Sequence, residues 1–489
     1  MTTHQPEVNP DLSSDPQLAN LDLNSGLPPK LNLFTMFRLG LFQMGLGMMS
    51  LLTLGVLNRV LINGMEVPAV IAASAIAMHQ FMSPARVWFG QMSDSKRLFG
   101  LHRSGYVWIG AAIFVVASFV AVQVTWQLGD SINLTSGWQW TNSQLGWAGV
   151  LAFVFAIYGL ALSSSSTPFA ALLVDISDEE DRSKLVGVVW SMLMVGIVIG
   201  AILSSSLLKE IANDTPVAVL RAAIDRLFLI VPSIVFGLAL LATVGVEKKY
   251  SRFHSRTTLV EREDKITLGR ALRVLTASRQ TGLFFAFLLI MTTSLFMQEP
   301  ILEPFGGEVF QMTYAETTRI NAFWGTGTLI GLSATSFFVV PRLGKQATTK
   351  FGCFAVAGCF GAIILAGFTH NPAVLNTVMF VFGLASGVVT SGAISLMLDL
   401  TAAETAGTFI GAWGLAQAMA RGIATVAGGL VLDLGRKLFS MPELAYGLVF
   451  ALQAIGMIGA VVLLSRVNVQ EFRVSAKQAI ANVIASNQD

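Results

Sequence analysis

Charged side chains are scarce in this chain. Asp, Glu, Lys and Arg make up 12% of its 489 residues, against roughly 25% in ordinary soluble proteins. With 54% of residues hydrophobic, a soluble body could not cover its own surface. The formal net charge is only +2, so no global field draws nucleic acid. Cysteine is nearly absent as well. Cys353 and Cys359 sit in one apolar run, and neither a CxxC pair nor a Cys/His metal spacing occurs. No Walker loop, nucleophile elbow or HExxH is found. These absences exclude a soluble enzyme, a disulfide scaffold and a nucleic-acid-binding protein, and they supply no catalytic constellation.

What the chain has instead is apolar runs long enough to cross a hydrocarbon layer of about 30 Å. The expected spans are 39–62, 67–90, 105–126, 147–174, 185–208 and 226–246, then 281–301, 318–340, 351–369, 373–398, 408–432 and 443–465. This gives an all-α integral membrane protein of twelve transmembrane helices. The first 30 residues hold five prolines and no apolar core, which reads as a polar tail without a cleavable signal. The expected organisation is a disordered tail (1–38), a six-helix bundle (39–246), a linker (247–280), a second six-helix bundle (281–465) and a C-terminal tail (466–489). Within the linker, Leu268, Leu272 and Leu275 recur at helical spacing beside Lys265, Arg270 and Arg273. That pattern fits a basic amphipathic helix on a lipid surface or an ordinary solvated linker.

Orientation follows from the basic residues in the loops. With both ends in the cytoplasm, 22 of the 31 Lys and Arg residues fall on the inner side and five on the outer side. Trp126, Trp138, Trp140 and Trp147 flank one outer loop, as an interfacial aromatic belt would.

An internal repeat accompanies the count of six and six. A shift of 224 residues places Gly159-Leu160-Ala161 on Gly383-Leu384-Ala385, Asp175 on Asp399 and Gly187 on Gly411. Two six-helix halves fused in sequence describe the major facilitator fold. The loop after span 2, Gly90-Gln91-Met92-Ser93-Asp94-Ser95-Lys96-Arg97, resembles the first half of that superfamily's signature. Asp175-x6-Arg182 resembles its acid-to-arginine loop. Arg86, Gly90, Asp94, Asp175 and Arg182 are therefore the expected cytoplasmic latch, with Arg86 pairing with Asp94 or the loop after span 4. The second half lacks the repeat of that arginine, having Ala406 instead.

An ionisable group at the bilayer centre costs about 2.5–3.5 kcal/mol on insertion scales, so each one requires a reason. Arg421 lies well inside span 11 and is expected to meet a cargo headgroup or a carboxylate partner between helices. His79 and Arg86, seven apart on span 2, share a helical face. A neutral histidine can ligate the magnesium of a chlorin, although a lone histidine is more often a hydrogen-bonded packing residue. Glu299 and Glu303 share a face if 298–309 stays helical, and Arg59 and Arg319 lie at comparable depth. These four are the expected charge-paired outer gate or cargo rim, the alternative being a helix-ending loop with solvated glutamates. Ser163 to Thr167 and the pairs Gly327/Gly331 and Gly383/Gly387 read as packing faces, and Pro168 is expected to bend span 4.

Three stretches carry a closer resemblance. Met82-Ser83-Pro84-Ala85-Arg86-Val87, running on to Asp94, is followed by Leu101-His102-Arg103-Ser104-Gly105. The third is Gln298-Glu299-Pro300-Ile301-Leu302-Glu303-Pro304-Phe305-Gly306-Gly307-Glu308-Val309. Together they resemble the PucC/LhaA-type bacteriochlorophyll-delivery family, a branch of the major facilitator superfamily, over about residues 35–465. Leu39 to Gly45 looks more like the family's cyanobacterial members. The resemblance implies a phototroph's thylakoid or cytoplasmic membrane and chlorophyll or a related pigment as cargo. It also implies light-harvesting or photosystem apoproteins as partners. Two rivals remain: a proton-coupled secondary transporter of a small metabolite, and a non-transporting scaffold for light-harvesting subunits. Single cysteines placed in 247–280 and in either tail are expected to react with an impermeant thiol reagent from the same side of the membrane. Labelling from opposite sides would break the topology.

Overall fold

The computed structural model describes residues 31–135, 137–177, 179–212, 215–251, 279–400 and 406–468. Residues 1–30, 469–489 and the proposed linker helix thus lie outside the described residues, and the helix of span 1 begins at Leu33, within the expected tail of 1–38. Twelve spans emerge. The first half holds span 1 (Leu33–Gly64), span 2 (Ala69–Phe81 and Ala85–Ser95), span 3 (Ser104–Asn133), span 4 (Asn142–Ile176), span 5 (Glu179–Leu207) and span 6 (Val217–Thr243). The second holds span 7 (Arg279–Phe296), span 8 (Tyr314–Ala334, running on to Leu343), span 9 (Lys345–Gly367), span 10 (Pro372–Leu400), span 11 (Ala406–Leu438) and span 12 (Pro442–Ser465). Span 6 begins nine residues before the expected 226, so Arg221 and Arg226 are helical rather than in a loop. A short helix, Leu302–Phe310, fills the junction between spans 7 and 8.

Among the described residues, nine of these helices are long and apolar enough to cross a membrane on their own. Spans 2, 7 and 8 fall short. Span 2 is interrupted between Phe81 and Ala85, and its polar residues, like those of span 11, face the interior.

Glycine sets the helix–helix distances where small residues let backbones meet. A Cβ on Gly327 or Gly331 of span 8 would strike the backbone of span 10 at Phe380 and Leu384, and one on Gly383 or Gly387 would strike span 8 in return. In the first half, a Cβ on Gly159 of span 4 would meet the backbone of span 2 at His79. The aligned glycines Gly159 and Gly383 thus hold corresponding helix pairs, span 4 on 2 and span 10 on 8. Span 4 stays helical through Pro168. Ser164 and Ser165 donate to the carbonyls of Ala161 and Leu162 (2.8 and 3.1 Å) and form the floor on which Gly110 of span 3 rests.

Trp126 corrects the aromatic belt. It is fully buried, and its indole N–H donates to Asp225 of span 6 at 2.8 Å, beside Gln123 at 2.9 Å. The carboxylate on span 6 draws the ring inward, since a buried acid needs donors. Trp140, by contrast, is exposed.

Gly331→Leu is expected to destabilise the protein by more than the 1–3 kcal/mol of ordinary overpacking, because backbone rather than a side chain blocks the new atoms. Gly361→Leu, where nothing lies within 4 Å, is expected to leave stability unchanged. Thermal unfolding in detergent measures both.

Candidate functional site

A cavity of 2520 Å³ runs between the two halves. Its mouth lies at the end of the bundle where span 1 begins, with Phe37, Asp94, Lys184 and Met397 around it. Its wall is mainly apolar. Deeper in, span 2 contributes His79, Gln80 and Arg86, span 7 and its exit Gln298 and Glu299, span 8 Asn321, and span 11 Gln417 and Arg421. Span 11 is wedged against both neighbours. A Cβ on Gly422 would touch Phe81 and Gln80 of span 2, and one on Gly428 would meet the carbonyl of Met297.

Each polar residue of this interior has a definite setting. The Arg421 guanidinium lies over the Phe296 ring, 3.8 Å from its centroid, a cation–π contact that is strengthened by desolvation. No carboxylate of the described residues lies within 4.0 Å of it, and the Phe296 ring of span 7 is its partner between helices. Glu299 lines the same cavity, within electrostatic reach of Arg421. The His79 Nδ1 lies 2.6 Å from the Ile76 carbonyl. A carbonyl only accepts, so Nδ1 carries the proton and Nε2 keeps its lone pair. That is the tautomer a metal-binding imidazole adopts when its other nitrogen is fixed by a carbonyl. Among the described residues no group of three or more metal-ligating side chains gathers, so any metal held here would arrive with its own ligands. Gln298 is held from span 12, whose Gln453 amide donates to its side chain and to the Ser294 carbonyl, both at 2.8 Å.

The far end of the cavity is closed by contacts that cross between the halves. Asn58 of span 1 donates to the Pro300 carbonyl. Arg59 donates to the Thr317 hydroxyl and to the Met312 carbonyl (2.7 Å), and lies over the Tyr314 ring at 4.0 Å. Arg319 donates to Ser205 of span 5 at 2.8 Å. Asp433 of span 11 accepts from the backbone N–H groups of Ala69 and Val70 at 3.0 and 2.8 Å, capping the start of span 2 where the helix dipole favours an anion. Span 1 is π-helical over Leu51–Leu57 and Val60–Gly64, which sets the register that delivers Asn58 and Arg59 to this seam.

Two expectations fail here. Glu299 and Glu303 do not share a face, because residues 297–301 form a turn and the helix restarts at Leu302. Proline at 300 and 304 breaks the run. Glu299 faces the cavity, whereas Glu303 is buried against Gly55, accepts from Asn321 at 2.8 Å and feels the Arg59 charge. The second is Arg319, which meets a serine hydroxyl rather than a carboxylate.

The latch is also rearranged. Asp94 and Asp175 both pair with Arg103, through its Nη2 and, at 2.8 Å, its Nε, while Ser93 accepts from its Nη1 at 2.6 Å. Burial works to lower the Arg103 pKa, but attraction from Asp175 and then Asp94 outweighs it, and the guanidinium is held above its ordinary value. A basic group so raised stays charged at every pH below its unfolded pKa, so its contribution is constant through the physiological range. Glu247 closes the arrangement by accepting from the backbone of His102, Arg103 and Ser104 at 2.6 to 3.2 Å. Arg86 takes no part in it and stands in the cavity wall. Gly90 also lines the cavity, close to Thr167. The Arg182 and Asp399 side chains lie outside the described residues. Sequence reasoning missed Arg103 because it was counted among loop charges. Its position, nine residues after Asp94 and directly before an apolar run, was the available signal. Asp433 and the pair Glu308–Arg436, joined by Tyr446 at 2.8 Å, were missed because their partners lie far off in sequence.

Arg103→Ala is expected to cost about 3–5 kcal/mol of unfolding free energy, since it strands the buried Asp175 carboxylate. Arg86→Gln is expected to leave the melting temperature in place. Comparing the two by thermal unfolding decides which arginine holds the loop.

Comparison with known proteins gives a sequence and a structural result. A family model described as "PUCC protein" matches residues 56–472. Protein PucC of Rhodobacter capsulatus is 27% identical over 440 residues, covering 87% of this chain and 90% of its own. The bacteriochlorophyll synthase 44.5 kDa chain, also of Rhodobacter capsulatus, is 28% identical over 434 residues, covering 86% and 92%. Among solved structures, the nucleoside transporter NupG superposes with a TM-score of 0.63 at 13% identity, covering 89% of this chain and 98% of NupG. A bacterial homologue of the lysosomal transporter Spinster, inward-facing and occupied, gives 0.59 at 12% identity, covering 91% and 97%. The structural likeness shows the major facilitator fold.

Proposed function

The chain belongs to the PucC family, and from that membership and the geometry of the cavity we propose a membrane assembly factor. In this reading it binds chlorophyll or a related pigment and hands it to light-harvesting or photosystem apoproteins of a phototroph, in the thylakoid or cytoplasmic membrane. The observation that carries the proposal is His79, a neutral imidazole with its Nε2 lone pair unused, in the wall of a largely apolar chamber. At 2520 Å³ the chamber exceeds the roughly 300–1,000 Å³ of drug-sized sites, which suits a tetrapyrrole macrocycle. A magnesium chlorin would offer its metal as a Lewis acid, and His79 would be the residue to hold it through Nε2. The protein then works by binding and release, as a carrier rather than an enzyme.

The loop charges support cytoplasmic termini, so the mouth of the chamber opens to the cytoplasm. Residues 39–246 and 281–465 act as the two bundles, joined by 247–280. Asp94 and Asp175, tied by Arg103, hold the cytoplasmic end of the first bundle, with Gly90 beside Thr167 of span 4. Arg59 with Glu303, and Arg319, act as the outer gate.

One observation favours a second reading. Arg86, Glu299, Asn321 and Arg421 share the chamber, a denser polar cluster than Arg421 alone, and such a cluster suits a proton-coupled transporter of a small metabolite. Purification in mild detergent separates the readings. Retained chlorin absorption, lost for the most part in His79→Phe at unchanged yield, is the expected result. Co-purifying apoprotein without pigment would instead indicate a scaffold, and a colourless, solitary protein the transporter.

A further inference from the structure

We infer that the chamber selects an amphiphile carrying a single negative charge, which rests between Arg86 and Arg421. On the pigment reading, from which this inference takes its chlorin, the cargo is a magnesium chlorin with a free carboxylate rather than the esterified pigment.

The inference rests on a count of charges. Asp94, already held by Arg103, and Lys184 stand at the mouth. Among the described residues, the interior wall then carries two guanidiniums, Arg86 and Arg421, and one carboxylate, Glu299. Its formal excess is one positive charge. Neither arginine has a carboxylate within 4.0 Å among the described residues. Arg421 is backed by the Phe296 ring at 3.8 Å, and both arginines act electrostatically on His79 and on each other.

Such a charge in a low-dielectric chamber is costly until it is matched. Guanidinium forks match a carboxylate or phosphate with charge-assisted hydrogen bonds. Glu299 restrains the preference: with one acid already present, a dianion would overshoot neutrality and a monoanion meets it. The apolar remainder of the wall takes the hydrocarbon part of the ligand. His79 stands on the same span as Arg86, so one molecule can meet a metal ligand and an anion site together. A fatty acid or an anionic phospholipid shares the chemistry of the headgroup, and the test distinguishes these sources.

The purified full-length protein in neutral detergent is titrated with a magnesium chlorin monocarboxylate and with its methyl ester, following quenching of tryptophan fluorescence. Trp190 and Trp324 line the cavity and report its occupancy. The free acid is expected to bind at least tenfold more tightly than the ester, the scale of a charge-assisted hydrogen bond. Arg421→Gln and Arg86→Gln are each expected to bring the acid down towards the ester while leaving the ester unchanged. Arg421→Lys is expected to restore part of the preference. Equal binding of acid and ester by the wild-type protein would overturn the inference and leave the pigment reading standing. Arginine-dependent binding of oleate or phosphatidylglycerol with no binding of either chlorin would support the monoanion site and remove the pigment reading. Binding of none of them would overturn both.

Discussion

Hydrocarbon offers no hydrogen-bond partner, so every polar group within a bilayer must find one inside the protein or have a task. That constraint organises the whole molecule. Backbone groups are absorbed by helices, serine and threonine hydroxyls by carbonyls three or four residues back, and Asp225 by an indole and an amide. Those satisfied groups build the frame. Among the described residues, His79, Arg86, Glu299 and Arg421 all face one chamber. They are concentrated where a ligand would complete them, which is why the chamber rather than any loop carries the functional argument.

The two ends of the bundle are held by different chemistry. At one end Arg103 ties two aspartates within the first half. At the other, Arg59, Asn58, Arg319 and Asp433 reach across from one half to the other. The molecule is therefore fastened together where the cavity is sealed and merely lined where it opens.

The fold was legible because it rests on composition and length. Twelve apolar runs, six on each side of a charged linker, need only a hydropathy count, and the glycine pairs of spans 8 and 10 declare their packing by spacing. Individual pairings were less legible, since sequence spacing cannot say which of several arginines meets an aspartate. Arg86 and Arg103 both stand within nine residues of Asp94, and only the turn through residues 96–103 decides for Arg103. Whether Glu299 and Glu303 share a face depended on whether the helix continued through Pro300, and there the helix stops. Asp433, although visible in span 11, could not be matched in advance to the backbone of a helix more than 360 residues away.

Span 11 leans on span 2 through Gly422, which takes the Phe81 ring, and Gly429, which meets the Ala69 backbone, so small residues line this strip between the halves. Tilting one bundle against the other along such a strip asks for little rotamer rearrangement, in the manner of a shear joint. Resistance to tilting is then concentrated in the few cross-bundle hydrogen bonds at the sealed end, each worth roughly 1.5–3 kcal/mol where a charged group takes part. Energies of that size are comparable to the differential affinity by which a ligand shifts a two-state equilibrium. An occupant of the chamber thus has leverage over the bundle's posture, and the polar clasp sets how hard it must pull.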